Sequence, residues 1–331
     1  MERFSAQSRD ANQAPTQARQ ATVTTTARLH FGFLDPSGRG KHPFGSFGLS
    51  IDRPRVKLTL EPAPDFTVSG AERDRAERYL RSIAQGCGIR QAYALHVEEA
   101  IPPHAGLGSG TQLALAVGSA FAAVENIRLS PQEIAARLQR GARSGIGIAT
   151  FAQGGAVLDA GPRQGKLPEL VARVPFPPHW RILLILDASY SGLAGASERA
   201  AFETLPDFPE SESEALRRGI TERALPALVA GEFEAFCQEI GHLQSCMGSY
   251  YAQVQRGAYA SPRVSQVLNW LRGKGLTGLG QSSWGPTGFA FASSEAEGGA
   301  LLQEAQARHS RPGLSFSLAQ GNNEGAKIEA C

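Results

Sequence analysis

Hydrophobic and polar positions follow two periods along this chain, which predicts a mixture of β-strands and α-helices. Val23 to Leu34 alternates with a period of two and is rich in β-branched residues, so we predict a strand that ends in the turn Asp35-Pro36-Ser37-Gly38. We expect a strand pair at Val56 to Leu60 and Phe66 to Ser69, and a further strand at Tyr93 to Val97.

Helical patterns fill the intervals that follow. Glu72 to Gln85 combines charged residues with Leu and Ile at helical spacing, and we expect this helix to end at Gly86. Thr111 to Val124 is apolar and rich in Ala and Leu, which predicts a second helix. The segment Ser130-Pro131-Gln132-Glu133 carries the N-terminal capping signature of another one.

The second half of the chain begins with helical patterns and ends with helices alternating with strands. Because these elements follow no strict βαβ repeat, we predict α+β lobes rather than a doubly wound sheet. A chain of 331 residues is long for one hydrophobic core, and Pro175-Phe176-Pro177-Pro178 is the expected boundary between two. We therefore predict lobes at residues 22–174 and 175–320, between a disordered tail at 1–21 and a frayed polar tail at 321–331.

Composition narrows the class of partner. A net charge of only +2 argues against a broad nucleic-acid surface, so we expect small-molecule substrates bound at a local site. No apolar run approaches the length of a membrane span, and no membrane partner is expected. The cysteines at 87, 237, 246 and 331 form no close metal-ligand pattern and suit reduced thiols in the cytoplasm. The sequence leaves a homodimer open.

Candidate chemistry is concentrated in Pro103-His104-Ala105-Gly106-Leu107-Gly108-Ser109-Gly110-Thr111. Glycines let main-chain N–H groups approach a ligand, and the helix that starts near Ser109 directs its positive dipole end to the same point. The hydroxyls of Ser109 and Thr111 add donors, or ligands for a phosphate-bound Mg²⁺. A glycine cluster alone also suits a turn and helix cap, but the preceding strand and the two prolines favour a phosphate-binding loop.

This segment resembles the phosphate loop of the GHMP kinase superfamily. Ala27-Arg28-Leu29-His30-Phe31-Gly32 resembles the first motif of that superfamily, and Gly278 to Thr287 resembles the glycine-rich third motif. The resemblance implies a two-lobed GHMP-kinase fold, with an N-terminal lobe like domain 2 of ribosomal protein S5 and a ferredoxin-like α/β C-terminal lobe.

Two departures from the pattern count against a kinase. Many kinases of this superfamily carry an Asp base in Ser-Gly-x-Asp, whereas this chain has Gly147 in Ser144-Gly145-Ile146-Gly147. A glycine cannot accept a proton from a substrate hydroxyl. In addition, Gly110 stands where the phosphate loop usually has a second serine. A small-molecule kinase that uses ATP remains the alternative, because some members phosphorylate without the Asp.

At the positions of these departures, the sequence resembles the β-ribofuranosylaminobenzene 5′-phosphate synthase family. That family resemblance is carried by Ala27 to Phe31, Gly106 to Leu113, Arg143 to Gly147, Ser282 to Thr287, and Gly192 with Glu198. It implies a decarboxylating C-ribosyl transfer from phosphoribosyl pyrophosphate to 4-aminobenzoate or 4-hydroxybenzoate, with release of CO₂ and pyrophosphate. This is the first committed step of tetrahydromethanopterin biosynthesis, and it implies Mg²⁺ bound with phosphoribosyl pyrophosphate.

Residue chemistry and the resemblance together nominate the site residues. The catalytic candidates are Arg28, His30, Arg143 and Ser144. The substrate-binding candidates are Gly106, Leu107, Gly108, Ser109, Gly110, Thr111, Gln112, Ser191, Gly192, Gln281, Ser282, Ser283, Trp284 and Thr287. The metal candidates are Ser109, Asp35 and Glu198.

Several of these candidates have structural alternatives. His30 could donate to a phosphate or to a ring substituent, or it could be a structural histidine. Asp35 before Pro-Ser-Gly also suits a turn former, and Trp284 could stack on the benzoate or pack between the lobes. We favour Arg143 over Arg140, which also suits a charge at a helix C-terminus.

Overall fold

A computed structural model describes residues 20–163, 165–192, 195–255 and 257–331. Its strands are β1 (Ala21–Asp35), β2 (Phe44–Pro62), β3 (Thr67–Gly70), β4 (Tyr93–Glu99), β5 (Ala156–Asp159), β6 (Leu170–Val174), β7 (Arg181–Asp187), β8 (Leu279–Gln281), β9 (Thr287–Ala292), β10 (Leu314–Ala319) and β11 (Lys327–Ala330). Its α-helices are α1 (Arg73–Gly86), α2 (Ser109–Val124), α3 (Pro131–Arg137), α4 (Ile146–Gln153), α5 (Gly195–Thr204), α6 (Glu210–Arg218), α7 (Leu225–Ala230), α8 (Phe233–Gln255), α9 (Pro262–Gly273) and α10 (Glu295–His309). A π-helical turn, Gly219–Ala224, joins α6 to α7.

The first sheet has the order β11-β1-β2-β4-β3, and β5 pairs with both β2 and β6. Its two long strands, β1 and β2, are antiparallel, with register shifts between Thr26 and Arg28 and between His30 and Gly32. The shifts re-aim side chains locally, as bulges beside functional sites commonly do. Helix α2 packs against both strands and is apolar on nearly every face, as expected for a helix in the middle of a core.

The second sheet has the order β10-β7-β9-β8, and all of its paired neighbours are antiparallel. Helices α5 to α9 connect β7 to β8, and α10 connects β9 to β10. This order and connectivity are those of a ferredoxin-like lobe, so the predicted α+β fold of the C-terminal lobe is confirmed. Within the described residues, no helix is both long and apolar enough to span a membrane.

Aromatic rings join the facing sides of the two lobes in a shared hydrophobic cluster, while the C-terminal lobe also has a cluster of its own. The ring of Phe31 on β1 lies 5.4 Å from that of Phe289 and 5.8 Å from that of Phe291, both on β9. Phe176 follows β6, the last strand of the first sheet before the chain enters the second, and its ring lies 5.8 Å from that of Phe291. Phe176, within the predicted boundary segment, is therefore buried between the sheets, where its contacts help to fix the orientation of the lobes.

Two expectations from the sequence are wrong. The C-terminal segment is not frayed, because β11 pairs with β1 and Asn322 donates its main-chain N–H to the Ser50 carbonyl at 2.9 Å. An edge strand such as β1 leaves main-chain groups unpaired, and a polar strand can cover them without any hydrophobic pattern to reveal it. The second error is the strand pair, because β3 pairs in parallel with β4 and not with β2. Ala21 already belongs to β1, while residues 1–19 of the predicted N-terminal tail lie outside the described part of the chain.

Candidate functional site

The phosphate-loop segment has the local geometry that its glycines predict. Gly106 and Gly108 have φ values of 81° and 83°, in the left-handed region, and α2 begins at Ser109 as expected. No side chain among the described residues caps this helix. Its first N–H groups and its dipole therefore favour an anion at the N-terminus.

The first and third sequence motifs hold this loop between the lobes. The Ser282 hydroxyl donates to the Gly106 carbonyl at 2.8 Å and accepts from the His30 main-chain N–H at 3.0 Å. The Thr287 hydroxyl donates to the Ala105 carbonyl at 2.7 Å. Both hydroxyl-bearing residues are fully buried, so they position the loop and are not exposed to a substrate, which corrects their assignment as binding residues.

Close backbone packing explains Gly192 and Gly285. The Gly192 N–H donates to the His104 carbonyl at 3.2 Å, and a Cβ at this position would overlap the Trp284 carbonyl oxygen. A Cβ at Gly285 would overlap the main chain of Ala105. These glycines allow the segments after β7 and after β8 to pack directly on the phosphate loop, so Gly192 also has a positioning role.

A cleft of about 620 Å³ lies beside the start of α2, within the size range of small-molecule sites. Predicted residues that line it are Arg28, His30, Thr111, Arg143, Ser144 and Ser283. Arg140 also lines it, which the sequence had suggested less strongly than Arg143. Among the described lining residues the only carboxylate is that of Glu203, so three arginines give the cleft a positive field.

The three arginines approach the cleft from different elements. Arg28 on β1 donates to the Gly106 carbonyl, and the guanidinium of Arg143 lies 4.5 Å from the ring centroid of Phe202. Arg140 follows α3, beyond the helix end, and donates to the Tyr79 hydroxyl at 2.6 Å. These contacts orient three guanidinium groups, and guanidinium groups suit phosphate and carboxylate oxygens.

His30 is the most perturbed of the predicted residues. Burial, with a smaller contribution from the charge of Arg28, lowers the pKa of His30 to about 3. Neither ring nitrogen has a hydrogen-bond partner among the described residues, and the ring meets the edge of Phe33 at 4.8 Å. The imidazole is therefore neutral at ordinary pH, with one donor and one acceptor nitrogen.

Ser144 is supported by a carboxylate that the sequence analysis missed. The Ser144 hydroxyl lies 2.7 Å from that of Ser46, which donates to Asp159 at 2.5 Å. The Asp159 carboxylate also accepts from the main-chain N–H groups of Gly145 and Gly161, each at 2.8 Å. Burial raises the pKa of Asp159, and these hydrogen bonds oppose that rise. In the sequence, the only indication of this carboxylate was a single Asp at the end of the buried strand β5.

Three polar candidates lie outside the cleft. Gln112 is fully buried, where it accepts from Thr25 at 2.7 Å and donates to the Gly147 carbonyl at 2.8 Å. Gln281 accepts from the Ala260 N–H at 2.6 Å and donates to the Ser283 carbonyl at 2.8 Å. Both amides are used in structural hydrogen bonds, so their assignment as substrate-binding residues is wrong. Ser191 is exposed and does not line the cleft.

Trp284 is buried against other aromatic rings of the C-terminal lobe. Only 5% of its surface is exposed, and its ring lies 4.2 Å from that of Tyr251 and 5.4 Å from that of Phe202. It borders a small apolar pocket behind His30 and not the large cleft. Stacking of this ring on a benzoate is therefore unsupported.

The predicted metal ligands do not converge. Asp35 accepts from the Ser37 hydroxyl at 2.6 Å and from the Gly40 N–H at 2.9 Å, so it is a turn former. The side chain of Glu198 lies outside the described residues. Within the described ranges, no three His, Cys, Asp or Glu side chains are grouped to hold a metal ion. Ser109, at the start of α2, remains a possible ligand for an ion that arrives with a diphosphate.

Gly147 lies beside Thr111 at the edge of the cleft. A Cβ built on Gly147 would lie 3.0 Å from the Thr111 Cγ2 atom, so Thr111 fills the space that a side chain would need. The kinase base is thus absent at this position, and the one carboxylate among the described lining residues is that of the exposed Glu203. The site can bind anions and orient substrates, but it is poorly equipped to deprotonate an alcohol.

The chain shares domains and fold with known enzymes. It matches the family of GHMP kinases N terminal domains at residues 74–155 and that of GHMP kinases C terminal domains at 224–311. Homoserine kinase from Cytophaga hutchinsonii aligns with a TM-score of 0.64 and 15% identity, covering 96% of this chain and 99% of that one. L. major mevalonate kinase in complex with R-mevalonate aligns with a TM-score of 0.65 and 15% identity, covering 91% and 96%. These structures share the fold alone.

Sequence relatives agree with the predicted branch. β-Ribofuranosylphenol 5′-phosphate synthase from Methanothermobacter thermautotrophicus is 28% identical over 287 residues, covering 80% of this chain and 86% of that protein. The protein of the same name from Archaeoglobus fulgidus is 28% identical over 291 residues, covering 83% and 89%. The chain therefore belongs to the GHMP kinase superfamily, and the relatives it resembles over most of its length are β-ribofuranosylphenol 5′-phosphate synthases.

Proposed function

We propose that this protein transfers a phosphoribosyl group from phosphoribosyl pyrophosphate to the ring carbon of 4-hydroxybenzoate or 4-aminobenzoate, with release of CO₂ and pyrophosphate. The observation that carries the proposal is a cleft with three arginines and a glycine at the position of the kinase base. The names of its relatives support a ribosylated, phosphorylated aromatic product. The pathway that consumes this product would be that of methanopterin-type cofactors.

The reaction needs charge stabilisation more than proton transfer. When the C1–O bond of the ribose breaks, its electron pair leaves with the pyrophosphate, and negative charge grows on that group. The N–H groups at the start of α2, together with Arg28 and Arg140, would stabilise this charge where it develops. Such preorganised donors lower the barrier because they bind the transition state more strongly than the ground state.

The second half of the reaction requires position. The ring carbon that carries the carboxylate forms the new bond to C1, and the C–CO₂ bond then returns its electron pair to the ring. No alcohol is deprotonated, which is consistent with Gly147 at the site of the kinase base. Holding two substrates in a reactive orientation can contribute about 7–11 kcal/mol. Arg143 would orient the benzoate carboxylate through its guanidinium.

Magnesium fits this site as part of the substrate. The described residues offer no ready-made cluster of metal ligands, but a diphosphate supplies oxygens of its own. Ser109 would add one hydroxyl ligand. The ion would neutralise part of the diphosphate charge while Arg28 and Arg140 bind the remaining oxygens.

The test is to incubate the purified protein with Mg²⁺, phosphoribosyl pyrophosphate and each benzoate, and to measure CO₂ and pyrophosphate. Equal amounts of the two products, dependent on a benzoate, would support the proposal. Release of neither with either benzoate would refute it. ATP hydrolysis coupled to phosphorylation of an alcohol would favour the kinase alternative instead.

A further inference from the structure

The imidazole of His30 is buried without a partner at the border of two cavities. It is only 3% exposed, and neither Nδ1 nor Nε2 has a partner within the described residues. Buried polar atoms are nearly always paired, and unpaired ones in native structures commonly mark a functional role. Leaving these atoms unpaired costs free energy that nothing in the described fold offsets.

The backbone holds the ring in place. The His30 N–H donates to the Ser282 hydroxyl at 3.0 Å, and its carbonyl accepts from the Ser283 N–H at 3.1 Å. Both main-chain groups of His30 are thus hydrogen-bonded to the third motif. The Phe33 ring packs against the imidazole in a T-shaped arrangement, with 4.8 Å between the ring centroids. The orientation of the imidazole is therefore preorganised although its nitrogens are unused.

The two cavities that meet at His30 differ in chemistry. The large cleft carries the three arginines, whereas the small pocket behind His30 is lined mostly by apolar side chains such as Phe33, Met247, Tyr251 and Trp284. The small pocket has a volume of about 30 Å³, which accommodates about one water-sized group. The amides of Gln244, Gln255 and Gln281 also line this pocket, so it combines apolar rings with a few polar groups.

The protonation state of His30 selects the kind of ligand atom. Burial and the neighbouring Arg28 keep the ring neutral, so one nitrogen is a hydrogen-bond acceptor with no proton. The other nitrogen keeps its proton and can donate, whereas the acceptor nitrogen is complemented only by a group that donates. A neutral hydroxyl or amino group, which donates, matches it.

We propose that His30 accepts a hydrogen bond from the para O–H or N–H of the bound benzoate, with the ring lying between this nitrogen and the arginines of the cleft. This assignment rests on the function proposed above and adds its specificity-determining contact.

The contact would strengthen during the reaction. As the ring carbon bonds to C1 and pyrophosphate departs with its electron pair, positive charge spreads to the para heteroatom. The O–H or N–H proton becomes more acidic and its hydrogen bond to the imidazole becomes stronger. Loss of CO₂ then returns an electron pair to the ring, and the proton stays on the heteroatom throughout. His30 thus stabilises the transition state without becoming protonated.

Two isosteric variants test the contact. His30→Leu removes the acceptor, and His30→Asn retains an acceptor of nearly the same shape as the leucine. The measurement is kcat/KM for 4-hydroxybenzoate divided by that for 4-methoxybenzoate, whose ring is similarly electron-rich but lacks the O–H. We expect His30→Leu to lower this ratio about tenfold, the usual effect of losing one buried hydrogen bond. His30→Asn should keep the ratio within about threefold of the wild-type value.

The possible outcomes separate this inference from the proposed function. Turnover by the wild type with an unchanged ratio in His30→Leu would refute the role of His30 alone. An equal fall in His30→Leu and His30→Asn would also refute it, because shape and not hydrogen bonding would then explain the loss. If the wild type released no CO₂ or pyrophosphate from either benzoate, the proposed function would fail and this inference with it.

Discussion

Replacing His30 should change how the stability of the protein depends on pH. The pKa of this residue is about 3 in the folded protein and 6.5 in an exposed chain, because burial and Arg28 disfavour the charged ring. Between these two values the unfolded chain binds a proton that the folded protein does not bind. The free energy of unfolding therefore falls as the pH drops below about 6.5.

The magnitude follows from the two pKa values. One proton bound only by the unfolded state changes the free energy of unfolding by about 1.4 kcal/mol per pH unit. Allowing for partial protonation near the unfolded pKa, acidification from about pH 7.5 to about pH 5 should cost about 2 kcal/mol through His30. A variant with no titratable group at this position, such as His30→Leu, escapes that cost. The other titratable groups contribute to both proteins and cancel in the difference.

The assay is denaturant unfolding of both proteins at the two pH values, followed by the fluorescence of the buried Trp180 and Trp284. We expect the stability of His30→Leu relative to wild type to increase by about 2 kcal/mol at the lower pH. His30→Asn should shift by the same amount, because it also lacks the titration although it keeps a polar group. If the free energies of unfolding of wild type and His30→Leu changed equally with pH, the reasoning would be refuted. His30 would then have the same pKa in the folded and the unfolded protein.

Three further predictions concern the loop and the cleft. Thr287→Val should lower the free energy of unfolding by about 1–3 kcal/mol, because it leaves a buried carbonyl of the phosphate loop unpaired. Thr287→Ser keeps the hydroxyl and should retain most of the wild-type stability. Calorimetry on both variants checks this. Gly106→Ala should give little folded protein on gel filtration. The new Cβ would overlap the Ser282 carbonyl, and the φ of 81° at this position disfavours alanine. A variant with a normal melting temperature would contradict this prediction. Arg140→Gln should raise KM for phosphoribosyl pyrophosphate about tenfold and leave KM for the benzoate nearly unchanged. Steady-state kinetics with each substrate varied in turn would test this, and an equal rise in both KM values would contradict it.

The sequence predicted the parts of the fold that local chemistry determines. Gly106 and Gly108 predicted the left-handed turns before α2, and Ser130 with Glu133 predicted the capping box that the structure contains. The pairing of β11 with β1 could not be predicted in this way. Its four residues are all exposed, and main-chain hydrogen bonds to a distant strand leave no periodic signal of burial.

The site was predicted as a set of segments more reliably than as a set of side chains. The motifs around Arg28, Gly106 and Ser282 do meet, as the resemblance implied. Polar residue type alone could not tell which hydroxyls face the cleft, because Ser282 and Thr287 bond to main-chain carbonyls while Ser283 borders the cleft. Asp159 was missed for the related reason that its partners, Ser46 and Gly145, are far apart in sequence.

Gly147 and His30 are both consistent with the proposed ribosyl transfer rather than with phosphorylation of an alcohol. A kinase base at position 147 would need the space that Thr111 occupies, since even a Cβ would lie 3.0 Å from its methyl group. An Asp there would require the Thr111 side chain to shift by a few tenths of an ångström, beside the start of α2 where the diphosphate is proposed to bind. The neutral imidazole of His30, another acceptor in the cleft wall, is too weak a base to deprotonate an alcohol at neutral pH. An acceptor of that kind can still hydrogen-bond a para hydroxyl or amino group whose proton never has to leave.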